Sequence, residues 1–443
     1  MTSIEIPTGL TADELRDAWL ALDPTERSEG FGLLSRNDAQ DFFVALAPRE
    51  QRSLLTLLGV NERRLWMRVL PPDDAADLIQ HAGREPRDEL LALLDEPTRR
   101  EVAALLAYAE DSAGGLMNPR FARLRPGMSA DEAIRYLRRQ TREHAESIYY
   151  VYVLDQEQRL LGVLSFRELF AAEPTRLVQD LMHKTLVTVR EDTDQEAVAR
   201  LIDTHDLLAV PVVDEHGHIK GIITVDDVVD VVREEATEDI QKLGGMEALG
   251  APYLQTPFFS LVRKRAGWLS ALFLGEMLTA SAMAHFESEI ASAVVLALFV
   301  PLIISSGGNS GSQATTLVIR AMALGEVRLR DWYRIVQREL GAGLTLGAVL
   351  ATIGLVRIVL WQAMFHTYGE HYLLVALTVA ISIVGVVTWG TVSGSMLPFI
   401  IRRLGFDPAS ASAPFVATLV DVSGLVIYFS TASVVLGGTL LKP

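Results

Sequence analysis

The feature that most restricts this chain is the segment from Ala291 to Leu324. It is apolar over more than a bilayer's thickness, yet it carries Pro301 and the run Ser305-Ser306-Gly307-Gly308-Asn309-Ser310-Gly311-Ser312-Gln313 at its centre. About 20 apolar residues suffice to cross the hydrocarbon layer as a helix. Backbone loosened by proline and glycine is tolerated at that depth only where protein or water meets the freed polar groups. Two arrangements satisfy this condition: the wall of an aqueous path, or close helix packing, where small residues also gather. Asn309 and Gln313 lie one turn apart on one helix face and favour the aqueous wall.

Five apolar spans are expected in all, at about 266–286, 291–323, 340–365, 372–401 and 412–441. Arg263-Lys264-Arg265 precede the first, Arg328, Arg330, Arg334 and Arg338 lie between the second and third, and Arg402-Arg403 between the fourth and fifth. The other two loops have no Lys or Arg. The positive-inside rule then puts the N-terminus in the cytoplasm and the C-terminus outside. Ahead of the spans the chain is acidic, with 28 Lys+Arg against 47 Asp+Glu in residues 1–250, compared with 12 against 9 in residues 251–443. Such a body repels nucleic-acid phosphates, so nucleic acid is excluded as a partner and cations are favoured. The absence of cysteine excludes disulfides and thiolate metal sites. Residues 1–5 have no basic or apolar leader pattern, so no signal peptide is expected. No nucleophile–base pairing or metal-hydrolase spacing points to an enzyme.

Residues 1–112 repeat apolar positions at helical spacing, as in Asp88–Asp95 and Glu101–Tyr108, with Pro71-Pro72, Pro86 and Pro97 near the expected helix starts. Asp73, Asp74 and Asp77 open one of these helices. An acidic first turn ordinarily complements the helix dipole, and cation binding is the alternative. Residues 115–235 contain a repeat. Leu116-Met117-Asn118-Pro119 is answered 65 residues later by Leu181-Met182-His183-Lys184, and Gly162-Val163-Leu164-Ser165 is answered 59 residues later by Gly221-Ile222-Ile223-Thr224. This pattern resembles a pair of CBS domains, which commonly sense adenosine nucleotides. The second copy has Thr224 and Asp227 where the family contacts ribose and phosphate, while the first departs with Ser165 and Glu168. Tyr150, Arg167, Glu168, Thr224 and Asp227 are the candidate nucleotide contacts, with ATP as a modulator.

Beyond the repeat the chain stays helical and acidic. Residues 191–239 hold 15 acids against Arg200, Lys220 and Arg233. Asp227, Asp230, Glu234 and Glu238 share one helix face, where like charges repel. They form either a solvated face or a carboxylate cluster for hard cations, which take oxygen ligands. Within the fifth span, Asp421 lies on one face with Ala417 and Gly424. A carboxylate at that depth is costly and is read first as functional, here as the holder of a hydrated divalent cation; a structural pair is the alternative. Glu276 in the first span is expected to pair with Arg357 in the third, or Arg357 to snorkel. Asp407 stands before the fifth span, as a cation-attracting group or an ordinary turn residue.

Taken together, Gly307-Gly308-Asn309-x-Gly311-x-Gln313, Glu235-Ala-Thr-Glu-Asp-Ile-Gln-Lys-Leu243, Arg402-Arg403-Leu-Gly-x-Asp407-Pro408 and Thr418-Leu-x-Asp421-Val-x-Gly424 resemble the MgtE magnesium channels. The resemblance implies an α-helical membrane protein with five transmembrane helices per protomer and a homodimeric pore. It joins these to a cytoplasmic all-α N domain (1–112), two α/β CBS domains (113–177 and 178–233) and a connecting helix and linker (234–265), followed by the pore domain (266–443). It further implies uptake of Mg²⁺ through a pore between the second and fifth spans of two protomers in a cell membrane. Asp421 would be the selectivity carboxylate, with Ala417, Asn309, Gln313 and Gly424 about it. Cytosolic Mg²⁺ would close the pore by binding at Asp73, Asp77, Glu196, Asp206, Asp227, Asp230, Glu235, Glu238, Asp239 and Asp407. Asp203 adds a carboxylate where the family supplies only a carbonyl. The alternatives are a carrier of another divalent ion such as Mn²⁺ or Co²⁺, a cation exchanger, or a membrane sensor that conducts nothing.

Overall fold

The computed structural model describes residues 11–19, 21–80, 84–143 and 149–440. The residues behind the signal-peptide expectation lie outside this set. The chain divides into two compact units, Met1–Arg233 and Glu234–Pro443.

The first unit opens with short helices: α1 (Ala12–Ala18), α2 (Pro24–Leu33), α3 (Arg36–Val44), α4 (Pro48–Leu57), α5 (Val60–Met67), α6 (Pro72–Gln80), α7 (Arg84–Leu93) and α8 (Glu96–Leu105). Their starts are written locally. Thr11, Asp23, Ser35 and Asp95 accept backbone N–H groups of the following turn, and Pro24, Pro48 and Pro97 sit in first turns, where a missing N–H costs nothing. Trp19, Phe31, Phe42, Phe43 and Trp66 form the aromatic centre of this stack, with Phe31 and Trp66 ring centroids 4.9 Å apart. Burying each such ring contributes on the order of 1.5–3 kcal/mol.

The repeat folds as two matching sheets. In the first, β1 (Arg123–Leu124) runs parallel to β2 (Tyr150–Leu154), which pairs antiparallel with β3 (Leu160–Ser165). In the second, β4 (Val189–Arg190), β5 (Ala209–Val213) and β6 (Ile219–Thr224) repeat the arrangement. Even the irregularity recurs, between Val153 and Leu154 and between Val212 and Val213. The Leu-Met segments cross over: Asn118 bridges to Ile222 in the second sheet, and His183 to Val163 in the first. The glycines leave room for this. A Cβ on Gly162 would lie 2.7 Å from the Met182 sulfur, and one on Gly221 2.9 Å from Met117 Cγ. Helices α9 (Ala113–Leu116), α10 (Ala130–Glu143), α11 (Phe166–Ala171), α12 (Val178–Leu181) and α13 (Gln195–Thr204) complete this region, and α14 (Val225–Leu243) leads out of it.

The second unit holds α15 (Phe258–His285), α16 (Glu287–Ser292), α17 (Val300–Ala323), α18 (Trp332–Phe365), α19 (Tyr372–Arg403) and α20 (Ala413–Leu436). Among the described residues, four segments are long and apolar enough to cross a membrane: Val294–Ala323, Leu329–Phe365, Tyr372–Arg403 and Ala413–Leu436. Helix α15 is also long, at 28 residues, but carries Arg263, Lys264, Arg265 and Glu276. Helix α18 begins eight residues before the expected span, because Arg334 and Arg338 fall on exposed turns that continue the same helix. Helix α19 is central, packed on α17, α18 and α20, while α15 packs on α20.

Candidate functional site

The glycine-rich stretch of α17 forms an unbroken helix with two different faces. Gly307 and Gly311 are buried against α19, where a Cβ on Gly390 would lie 2.3 Å from the Gly307 carbonyl oxygen and one on Gly394 2.4 Å from that of Gly311. The opposite side carries Ser305, Asn309 and Gln313, all exposed in the protomer, with Asn309 Nδ2 donating to Ser305 Oγ over 3.4 Å. Close helix packing is therefore present on the glycine face, while the polar face stays open on the protomer.

Around α20, successive residues turn by about 100°, which puts Asp421 between the directions of Ala417 and Thr418. Ala417 meets Gly308 of α17: a Cβ on Gly308 would be 3.5 Å from Ala417 and 4.0 Å from Asp421 Oδ1. Thr418 meets α15, where a Cβ on Gly275 would be 2.9 Å from Thr418 Cγ2. Asp421 thus emerges, half-buried, between α15 and α17. Gly424, on the same face, is buried, and its space is filled by Val386 of α19. Glu276 is exposed on α15 and lines an open hollow of about 780 Å³ with Thr418, Leu269, Ser270 and Phe273. The expected Glu276–Arg357 pair does not form. Arg357 snorkels instead, donating from Nη1 to the Tyr368 hydroxyl over 3.4 Å and lying 5.2 Å over the Trp361 ring.

At the end of α14, Lys242 Nζ donates to Asp407 Oδ2 over 2.6 Å and also pairs with Glu238. The other oxygen of Asp407 accepts the Ala409 N–H, closing the turn that precedes α20. Leu243, beside Lys242, packs with Ile319, Ala409 and Ala411. Burial, together with the charges of Asp407 and Glu235, pushes the Asp239 carboxyl up to about 6, with Lys242 opposing. Glu235, Glu238 and Asp239 all face partly inward on this stretch of α14.

In the first unit, Asp74 feels the acids of α14. Burial and then the charges of Asp227, Asp226 and Asp230 hold its carboxyl up at about 7. Burial raises Asp227 likewise, to about 6, against the lowering effect of its bonds from Thr224. Asp73 is buried and accepts a hydrogen bond from Asn118 Nδ2 at 3.2 Å. Asp77 is half-buried on the same helix. Glu196 opens α13 and pairs with Arg200 at 3.4 Å, Asp203 is exposed near the end of that helix, and Asp206 follows it with a left-handed φ of +50°. Asp230 is exposed and pairs with Arg233 at 3.5 Å. Among the described residues no group of three or more His, Asp or Glu side chains stands ready as a ligand set. A hard cation held here would keep much of its water, as Mg²⁺ prefers. The candidate donors are all carboxylate oxygens, which fits such an ion in chemistry.

Comparison with known proteins agrees with this architecture. Residues 300–431 match the family described as MgtE, divalent cation transporter, residues 10–111 the MgtE intracellular N domain, and residues 113–174 and 178–234 the CBS domain. The chain is 46% identical over 367 residues to the magnesium transporter MgtE of Thermus thermophilus, covering 82% of this chain and 79% of that one. The chain belongs to the MgtE family. It is a multi-pass membrane protein, and its family is one of transporters. A second MgtE magnesium transporter, from Bacillus subtilis, is 34% identical over 370 residues, covering 83% of this chain and 79% of that one. The crystal structure of the cytosolic domain of the Mg²⁺ channel MgtE in complex with ATP is similar at 42% identity, covering 50% of this chain and 91% of that one, with a TM-score of 0.48.

In this MgtE family member the nucleotide candidates serve as helix caps. Asp227 Oδ2 accepts the Thr224 hydroxyl at 2.7 Å and its N–H at 3.1 Å. Glu168 does the same for Ser165, and its second oxygen meets His183 Nε2 at 2.7 Å. Arg167 is exposed and Tyr150 half-buried. Sequence reasoning passed over Lys242 and Asp74. Lys242 lay inside the quoted family motif but was given no role there, and nothing in helical periodicity singles out the middle residue of Asp73-Asp74-x-x-Asp77.

Proposed function

We propose that this protein is a homodimeric, Mg²⁺-selective uptake channel whose acidic cytosolic region senses internal Mg²⁺ and closes the pore. The reading is carried by Asp421, a carboxylate in a membrane-spanning helix that opens into the groove between α15 and α17 and has no basic partner among the described residues. Charge at that depth is expensive unless water or an ion meets it. Helix α15 serves as the fifth span. The basic loops put the N-terminal acidic body in the cytoplasm and the C-terminus outside. Two-fold symmetry would present Asp421 twice, together with the polar faces of Asn309 and Gln313. Mg²⁺ gives up its waters reluctantly, so the paired carboxylates would bind it as a hydrated substrate.

For regulation, Asp73, Asp77, Glu196, Asp203, Asp206, Asp227, Asp230, Glu235, Glu238, Asp239 and Asp407 are the residues that would hold cytosolic Mg²⁺. A bound divalent cation would add positive charge beyond that of Arg200, Arg233 and Lys242, which pair with Glu196, Asp230, and Glu238 and Asp407. Without it they repel one another, which favours a spread arrangement of the acidic region. An equilibrium of this kind shifts only by the difference in affinity between its two states. Thr224 and Asp227, with Tyr150, Arg167 and Glu168, are the surface on which ATP would act as a modulator.

The test is flux into proteoliposomes. Asp421→Ala should abolish selective Mg²⁺ uptake while the variant still folds and inserts; retained selectivity would disprove the pore assignment. A second reading, transport of Mn²⁺ or Co²⁺ or cation exchange, is favoured by one observation: the pore candidates Asp421, Asn309 and Gln313 offer side-chain oxygens, which also suit Mn²⁺ and can bind Co²⁺. Competition among the three ions, with and without a counter-ion gradient, decides it.

A further inference from the structure

We propose that Lys242 is a built-in competitor for the divalent cation at the foot of α14, setting the concentration at which that site fills. This rests on the reading of Glu235, Glu238, Asp239 and Asp407 as cation-holding residues. Lys242 Nζ stands 2.6 Å from Asp407 Oδ2 and is paired at the same time with Glu238, one turn back on its own helix. One ammonium therefore spans the gap that a cation would have to span, from α14 to the turn before α20. The same carboxylate oxygens cannot serve both.

The site is built for exchange rather than for permanent closure. A lysine head is a compact, hydrated charge on a flexible stem, and the Lys242 side chain keeps 26% of its surface in solvent, so it can swing out without repacking the core. Leu243 stays seated on Ile319, Ala409 and Ala411 meanwhile, so the helix end holds its place while the charge changes. Lys242 brings one positive charge to two carboxylates, Glu238 and Asp407, so a divalent ion that displaces it leaves them better neutralised. An arginine would grip Asp407 through two parallel bonds and yield less readily.

The test is a Mn²⁺ titration of the full-length protein in detergent, reading the free-ion signal by electron paramagnetic resonance; it reports stoichiometry and affinity without transport. Lys242→Met and Lys242→Gln should bind the same number of ions about threefold more tightly, the scale of one partly exposed ion pair. Lys242→Arg should bind more weakly. Arg403→Gln, which removes an exposed charge from the neighbouring loop, should change nothing. Unchanged or weaker binding in Lys242→Met, or an equal gain in Arg403→Gln, overturns the proposal. Asp407→Asn and Glu238→Gln should each lose an ion. If they bind as wild type does, the assignment of these carboxylates has failed, whatever Lys242 does.

Discussion

Asp74 pays for its surroundings. Half-buried and close to Asp227, Asp226 and Asp230, its carboxyl is raised from 3.8 to about 7. A carboxyl raised in the folded state binds protons that the unfolded chain releases, so stability falls as pH rises from about 4 through 7. Asp74→Asn should therefore raise the unfolding midpoint of the cation-free protein above pH 7 by about 2 °C or more, the scale of 1 kcal/mol in a body of this size. The gain should shrink as pH drops towards 4, and a differential scan at several pH values reads it. At this scale the sequence was partly legible. The acidic first turn of α6 was plain, but that Asp74 meets the acids of α14 depends on how the helix is rotated. Asp73 was taken up by Asn118, a contact between residues 45 positions apart that no local pattern encodes.

Among elements, α17 shows why small residues and polar residues were hard to assign from order alone. Spacing predicted a helix with one polar face but could not say that the glycines turn toward a different neighbour. Gly307 and Gly311 meet Gly390 and Gly394 with backbone almost touching. Gly390→Ala should force α17 and α19 apart at a cost of about 1–3 kcal/mol, seen as lower folded yield and a lower melting temperature in detergent. The corresponding change at Gly341, where nothing lies within 4 Å of an added Cβ, should be silent. The mistaken Glu276–Arg357 pair has the same origin. Two opposite charges in spans of similar depth look like partners until packing shows that α15 leans on α20 and that Arg357 reaches the Tyr368 turn instead. Glu276→Gln should weaken Mg²⁺ uptake at low external Mg²⁺ more than at saturation, because it removes a negative charge from the hollow lined with Thr418, three residues from Asp421.

For the molecule as a whole, the absence of cysteine is an experimental advantage. If the exposed face of α17 lines a two-fold axis, a single cysteine at Asn309 should cross-link two protomers under mild oxidation. One at Val349, 54% exposed on α18, should not. The reverse result would move the axis. Architecture was the most legible level: a charge-rich region, a duplicated sheet and a set of apolar helices each announce themselves by composition and period. The 3-10 turn Val294–Phe299 and the early start of α18 were not legible, since apolar content is nearly blind to where a helix begins.

The crossing of the two Leu-Met segments has a consequence for how the duplicated region arose and behaves. Each half lends the other a bridge, Asn118 to Ile222 and His183 to Val163, and each methionine plugs the glycine notch of its sibling. Neither half is a finished object, and an ancestor carrying a single half would have needed a twin chain to complete it. Severing the polypeptide between them should leave two fragments that reunite in solution, because each still lacks what the other offers.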